Sequence, residues 1–136
     1  MLSQYGFGPA PAQPAVWFEQ LDPPAEYADF SYDCTSLLGP GDYVTGLSIC
    51  VSPAGTGEIT LSRLGLFPDC YGNPVLATVW ITGGVPGRVY VYKLNVTTYL
   101  TRVFTILIGQ ATNVVLAQYP LPPPIYPGFG GVISWP

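Results

Sequence analysis

Three cysteines, eight acids and no histidine are the raw material for chemistry in this 136-residue chain. Without an imidazole there is no Ser-His or Cys-His pair to activate a nucleophile, and the commonest general base is missing. Cys34, Cys50 and Cys70 follow no C-x-x-C spacing. A structural zinc takes about four thiol or imidazole ligands, more than three thiols supply. An odd thiol count without a visible secretory signal favours free cysteines, small and buried, in a chain made in a reducing cytoplasm; a pair among the three stays open. Asp29 and Asp33 lie four apart, which in extended chain is about 13 Å, too wide for a glycosidase pair. Asp29, Asp33 and Asp42 lack the spacing of an EF-hand. Gly83-Gly84-Val85-Pro86-Gly87 has the glycines of a phosphate loop but no Lys and no following helix, so it reads as a turn between strands. Asn95-Val96-Thr97 matches a glycosylation sequon without a secretory context. The expectation is no catalytic residue, no cofactor and no metal site, and a protein that is not an enzyme.

Composition narrows the classes further. Only 9% of residues are charged, with a net −4, while Gly and Pro number 16 each. Average domains carry about 25% charge and about half as much Gly and Pro. At 49% apolar the chain is too hydrophobic to be disordered throughout. No apolar run reaches the roughly 18 residues of a membrane-spanning helix. Four scattered bases make no phosphate-binding stripe, so neither nucleic acid nor membrane is an expected partner. The charges are divided along the chain: seven acids and no base through Ser62, then four bases and one acid, Asp69. That division lets an acidic half meet a basic face, on a neighbouring copy or on the same subunit.

The elements that would position any site are strands. Leu47, Ile49 and Val51 alternate with Ser48, Cys50 and Ser52, the period of a half-buried strand. The same period puts Ile59, Leu61 and Arg63 on one face, and Ala77, Val79 and Ile81 on another. Tyr90, Tyr92, Leu94 and Val96 share a face, as do Phe104, Ile106 and Ile108. Residues 113–117 offer a last edge strand. Trp80 fits either the core or the surface. Gly- and Pro-bearing turns separate the runs, and no window has helical spacing. Six or seven short strands of this kind predict an all-β fold, a single immunoglobulin-like β-sandwich, over residues 26–118.

Proline concentrates in the flanks, residues 1–25 and 119–136, which are expected to extend as N- and C-terminal arms. These arms hold eight of the 19 aromatic residues: Tyr5, Phe7, Trp17, Phe18, Tyr119, Tyr126, Phe129 and Trp135. A stiff, ring-bearing arm loses little entropy on docking and gains several anchors, so these eight are the expected partner-binding residues. The competing expectation is that both arms fold back over a sheet edge of their own sandwich.

Three stretches carry a family resemblance: the acidic run from Phe30 to Asp42, Ala77-Thr-Val-Trp-Ile-Thr-Gly-Gly84, and the strand from Arg88 to the paired threonines Thr97 and Thr98. Here the chain resembles small immunoglobulin-like structural proteins of tailed bacteriophages, found as head decorations or fibre-like attachments. The resemblance implies a non-enzymatic protein localised to the virion, assembled in the host cytoplasm, with capsid or other virion proteins as partners and many copies or a homo-oligomer. It brings no catalytic residues. The leading expectation is a capsid decoration or cement protein held by its arms. Alternatives are a neck, tail or fibre attachment protein, or a carbohydrate-binding adhesion module. The hairpin Thr98-Tyr99-Leu100-Thr101 and the long C-terminal arm depart from the pattern.

Overall fold

A computed structural model of the chain describes residues 14, 16–22, 25–112 and 128–136. Strand β1 is Val16–Trp17, β2 is Ala25–Asp33, and a single 3-10 turn follows at Thr35–Leu37. Then come β3 (Val44–Ser52), β4 (Ile59–Pro68), β5 (Pro74–Gly83), β6 (Val89–Thr98), β7 (Val103–Ala111) and β8 (Gly130–Trp135). They form two sheets, a five-stranded one ordered β1-β7-β6-β3-β8 and a three-stranded one ordered β2-β5-β4. Every pairing is antiparallel except β1 with β7. The expected β-sandwich is present. Its connectivity is that of an immunoglobulin domain: β2-β5-β4 takes the place of strands B-E-D, and β3-β6-β7 that of C-F-G.

Alternation explains the layering. Ala77, Val79 and Ile81 of β5 are buried, facing Leu47, Ile49 and Val51 of β3 and Tyr92, Leu94 and Val96 of β6 in one core cluster. Removing each of the Val, Leu and Ile side chains among them from water stabilises the fold by roughly 1.5–3 kcal/mol. Tyr90 stands near the start of β6, and its hydroxyl accepts from the Val85 amide at 2.9 Å and donates to Glu58 Oε1 at 2.7 Å. That is the position and bonding of the tyrosine corner of immunoglobulin folds.

Two expectations change, for Arg63 and Cys70, and the structure also places Trp80 and parts of both flanks. Arg63 does not share a face with Ile59 and Leu61. The β4–β5 register shifts between Ser62 and Gly65, Arg63 takes φ 52°, and Leu64 turns inward instead. Such a bulge reverses the alternation that a strict period of two assumes. Trp80 points outward, because its neighbours Val79 and Ile81 fill the core. Cys70 is exposed, while Cys34 and Cys50 are buried, and all three are free thiols. The described parts of both arms run along the sandwich rather than away from it, so strands β1 and β8 lie outside the expected 26–118 boundaries. The reason is that Val16, Phe18, Ile133 and Trp135 each have core to pack against, and the edges of the larger sheet offer unpaired backbone. The strand expected at residues 113–117 lies outside the described residues.

Candidate interaction surfaces

Of the eight expected partner-binding aromatics, Tyr5, Phe7, Tyr119 and Tyr126 lie outside the described residues. The other four are held by the sandwich in different ways. Phe18 is the most committed: its ring centroid lies 5.5 Å from that of Phe30 on β2 and 5.7 Å from that of Tyr92 on β6. Tyr92 sits two residues after the corner tyrosine, where antibody domains place a disulfide cysteine, so this aromatic trio joins the sheets instead. Trp17 lies against Gly109, where an added Cβ would come within 2.7 Å of the indole, and it remains 42% exposed. Trp135 pairs opposite Leu47 at the end of β8. Phe129 carries the Lys93 ammonium 4.8 Å from its ring centroid.

A buried polar chain fastens the N-terminal segment. Tyr92 donates to Gln110 Oε1 at 2.6 Å, and Gln110 Nε2 donates to the Glu19 carbonyl at 3.0 Å. The Phe18 and Leu21 amides bond to the carbonyls of Gly109 and Ala111. Burial pushes the Tyr92 hydroxyl far above its ordinary range, so it is a permanent donor at neutral pH.

Sequence reasoning passed over a second surface. At the end of the sandwich formed by the β6–β7 hairpin, Tyr43 and Tyr99 stack with centroids 4.7 Å apart and planes within 14°. Tyr43, Tyr99, Leu100 and Val103 are all exposed there, Val103 at 67%. Asp42 braces this tip from behind. Its carboxylate accepts from the Leu100 amide at 3.0 Å and from Arg102 Nη2 at 2.8 Å, while Arg102 also reaches the Leu37 carbonyl. Burial opposes ionisation of Asp42, but the Arg102 guanidinium, the Leu100 amide, the Thr98 hydroxyl and the Tyr43 amide outweigh it and hold the carboxyl at about 2. The available signal was a hairpin loop of Tyr and Leu where Gly and Asn are the usual residues.

A third surface is the outer face of the small sheet. Trp80 has Phe67 edge-on at 5.6 Å, Tyr27 at 6.2 Å and the Arg63 guanidinium 5.1 Å from its ring centroid. Arg63 also donates to the Tyr27 hydroxyl at 3.1 Å. The charge division noticed in the sequence closes within one subunit: Arg102 pairs with Asp42 and Arg88 with Glu58, while Arg63 and Lys93 lie over aromatic rings. Among the described residues no group of three or more acids or cysteines is placed to hold a metal ion.

Residues 23–108, well over half of the chain and almost the whole run from β2 to β7, match the family described as podophage GP4 fiber-tail adaptor protein gp77. The chain belongs to that family. It is a bacteriophage virion structural protein of a family described as fibre-tail adaptors. The match takes in the Tyr43–Tyr99 tip and the Trp80 face, and leaves out β1 and β8. No curated protein matches the chain.

Proposed function

We propose that this chain is an adaptor that joins a fibre to the phage tail, docking through the braced tip of Tyr43, Tyr99, Leu100 and Val103. The observation that carries this reading is the pairing of four exposed apolar side chains with a rigid support inside the family-matched region. Exposed aromatics on a preorganised loop lose little freedom on binding and bury large area, which is how interface anchors work. The family description favours a tail and fibre location over the head decoration first expected. Trp17, with the terminal rings Tyr5, Phe7, Tyr119 and Tyr126, forms a second proposed set of contacts. A sugar-binding module fits less well. Tyr43 and Tyr99 spend ring faces on each other, and Trp80 carries Arg63, so these rings are partly occupied as stacking platforms.

The test is a phage carrying Leu100→Asp, with circular dichroism of the purified chain to confirm the fold. Particles are expected to assemble heads and tails, while fibre occupancy in electron micrographs falls at least tenfold, as for an interface anchor. Full fibre occupancy, or localisation of the chain to the head surface, would overturn the reading.

A further inference from the structure

Among the described residues, β2 pairs only with β5, and its other side is an open sheet edge nine residues long. In the immunoglobulin arrangement A-B-E-D, strand A fills that position beside B. Here the N-terminal segment instead runs as β1 along β7, on the opposite sheet. The other flank of the sandwich is closed, with β8 lying against β4. Between β1 and β2 there remains a cleft of about 320 Å³, lined by Trp17, Phe18, Glu19, Asp29, Phe30 and Ser31.

We propose that this edge takes an extended, basic segment of a partner virion protein as an added strand on β2. The unpaired backbone groups of β2 supply main-chain bonds, and the alternating side chains of the incoming strand supply selectivity. The apolar half of that alternation meets Trp17 and Phe30. The charge of the site selects the other half: Glu19 and Asp29 line the cleft, and Asp33 follows on the same outward face of β2. Among the described residues neither Glu19 nor Asp29 is in an ion pair, because the two pairs use Glu58 and Asp42. A second copy is a poor occupant, since each of its four bases is already engaged. Residues 1–13 of the same chain contain no Lys or Arg. Charge complementarity therefore points to a foreign strand.

The inference rests on the adaptor reading only for the occupant being a virion protein; the chemistry of the cleft stands apart from it. The experiment uses the full-length chain and a capped probe peptide alternating Lys and Val over seven residues, followed by calorimetry and by amide hydrogen exchange. Binding is expected at low salt, with slowed exchange at β2 amides, and about tenfold weakening in Asp29→Asn or Glu19→Gln. A peptide methylated on alternate backbone nitrogens is expected not to bind, and the Glu-Val counterpart likewise. Equal binding of the acidic or methylated peptide, slowed exchange confined to other strands, no binding at all, or β2 amides already slow in the free chain would each overturn the proposal. Fibre loss in Leu100→Asp phage is read on particles and peptide binding on the isolated chain, so either result can fail while the other stands.

Discussion

The Tyr92 hydroxyl and the Gln110 amide meet at 2.6 Å in the interior, and through that amide the core of the sandwich holds the Glu19 carbonyl. Gln110 has no exposed surface, so its two bonds are the reason a polar side chain is tolerated there. The N-terminal segment is thus tied to β6 and β7 by polar bonds as well as by the Phe18 ring.

Tyr92→Phe removes the donor and leaves Gln110 Oε1 buried without it, at a cost of about 1–3 kcal/mol. Gln110→Leu also frees the Glu19 carbonyl. Hydrogen exchange should therefore separate the two: Gln110→Leu speeds exchange at Leu21, whose amide bonds to Ala111, more than Tyr92→Phe does. Denaturant unfolding gives the global cost in each case.

Gly83 closes β5 at φ 103°, and an added Cβ would run into the Glu58 carbonyl. That same carbonyl accepts the Gly84 amide at 2.7 Å, so it cannot move aside freely. Gly83→Ala is expected to destabilise the domain by on the order of 3 kcal/mol, combining positive φ with a backbone clash. Gly55→Ala, also at positive φ (75°) but with open space around it, should cost distinctly less. Urea midpoints of the two variants check the difference.

How much of this was legible in the sequence varies from residue to residue. Ala77, Val79 and Ile81, and Tyr90, Tyr92, Leu94 and Val96, lie on the core face where period two places them, although Thr78 and Val91 on the opposite face are buried as well. The bulge at Arg63 was not legible, since nothing local in Ser62-Arg63-Leu64 signals the register shift that β5 imposes. That Phe18 and Trp135 pack partly against their own sandwich was not legible for a related reason. Pro-rich surroundings suggest extension, but whether an extended segment lies on its own sheet depends on which edges the tertiary fold leaves open. The Tyr43–Tyr99 stack joins residues far apart in the chain, so only the unusual composition of the hairpin hinted at it.

The cysteines differ in chemistry as well as in position. Burial pushes the Cys34 thiol up to about 11 and raises that of Cys50 as well, and the thiolate is the reactive form. Cys70 is exposed in the turn between β4 and β5. One equivalent of thiol should react with a disulfide reagent in the native chain at neutral pH, and three should react in denaturant. Mass mapping is expected to place the fast label on Cys70.

Acid should loosen the Tyr43–Tyr99 end before it reaches the core. An unperturbed aspartate has a pKa of about 3.9, whereas Asp42 in the folded chain is held at about 2. A depressed carboxyl contributes stability that is present above the unfolded value and disappears as pH falls through the folded one. The Asp42 contribution should therefore fade between about pH 4 and pH 2. Asp33 acts in the same direction, lowered by the Thr35 hydroxyl and amide. Protonating Asp42 weakens its hold on the Leu100 amide and on Arg102 together, so the loop that carries the exposed rings is the part released. Proton spectra recorded across this range should show the Tyr43 and Tyr99 ring resonances losing their mutual ring-current shifts while those of Tyr92 stay put. In Asp42→Asn the same change should already be present at pH 7; stacked rings and unaltered acid behaviour in that variant would contradict the bracing role.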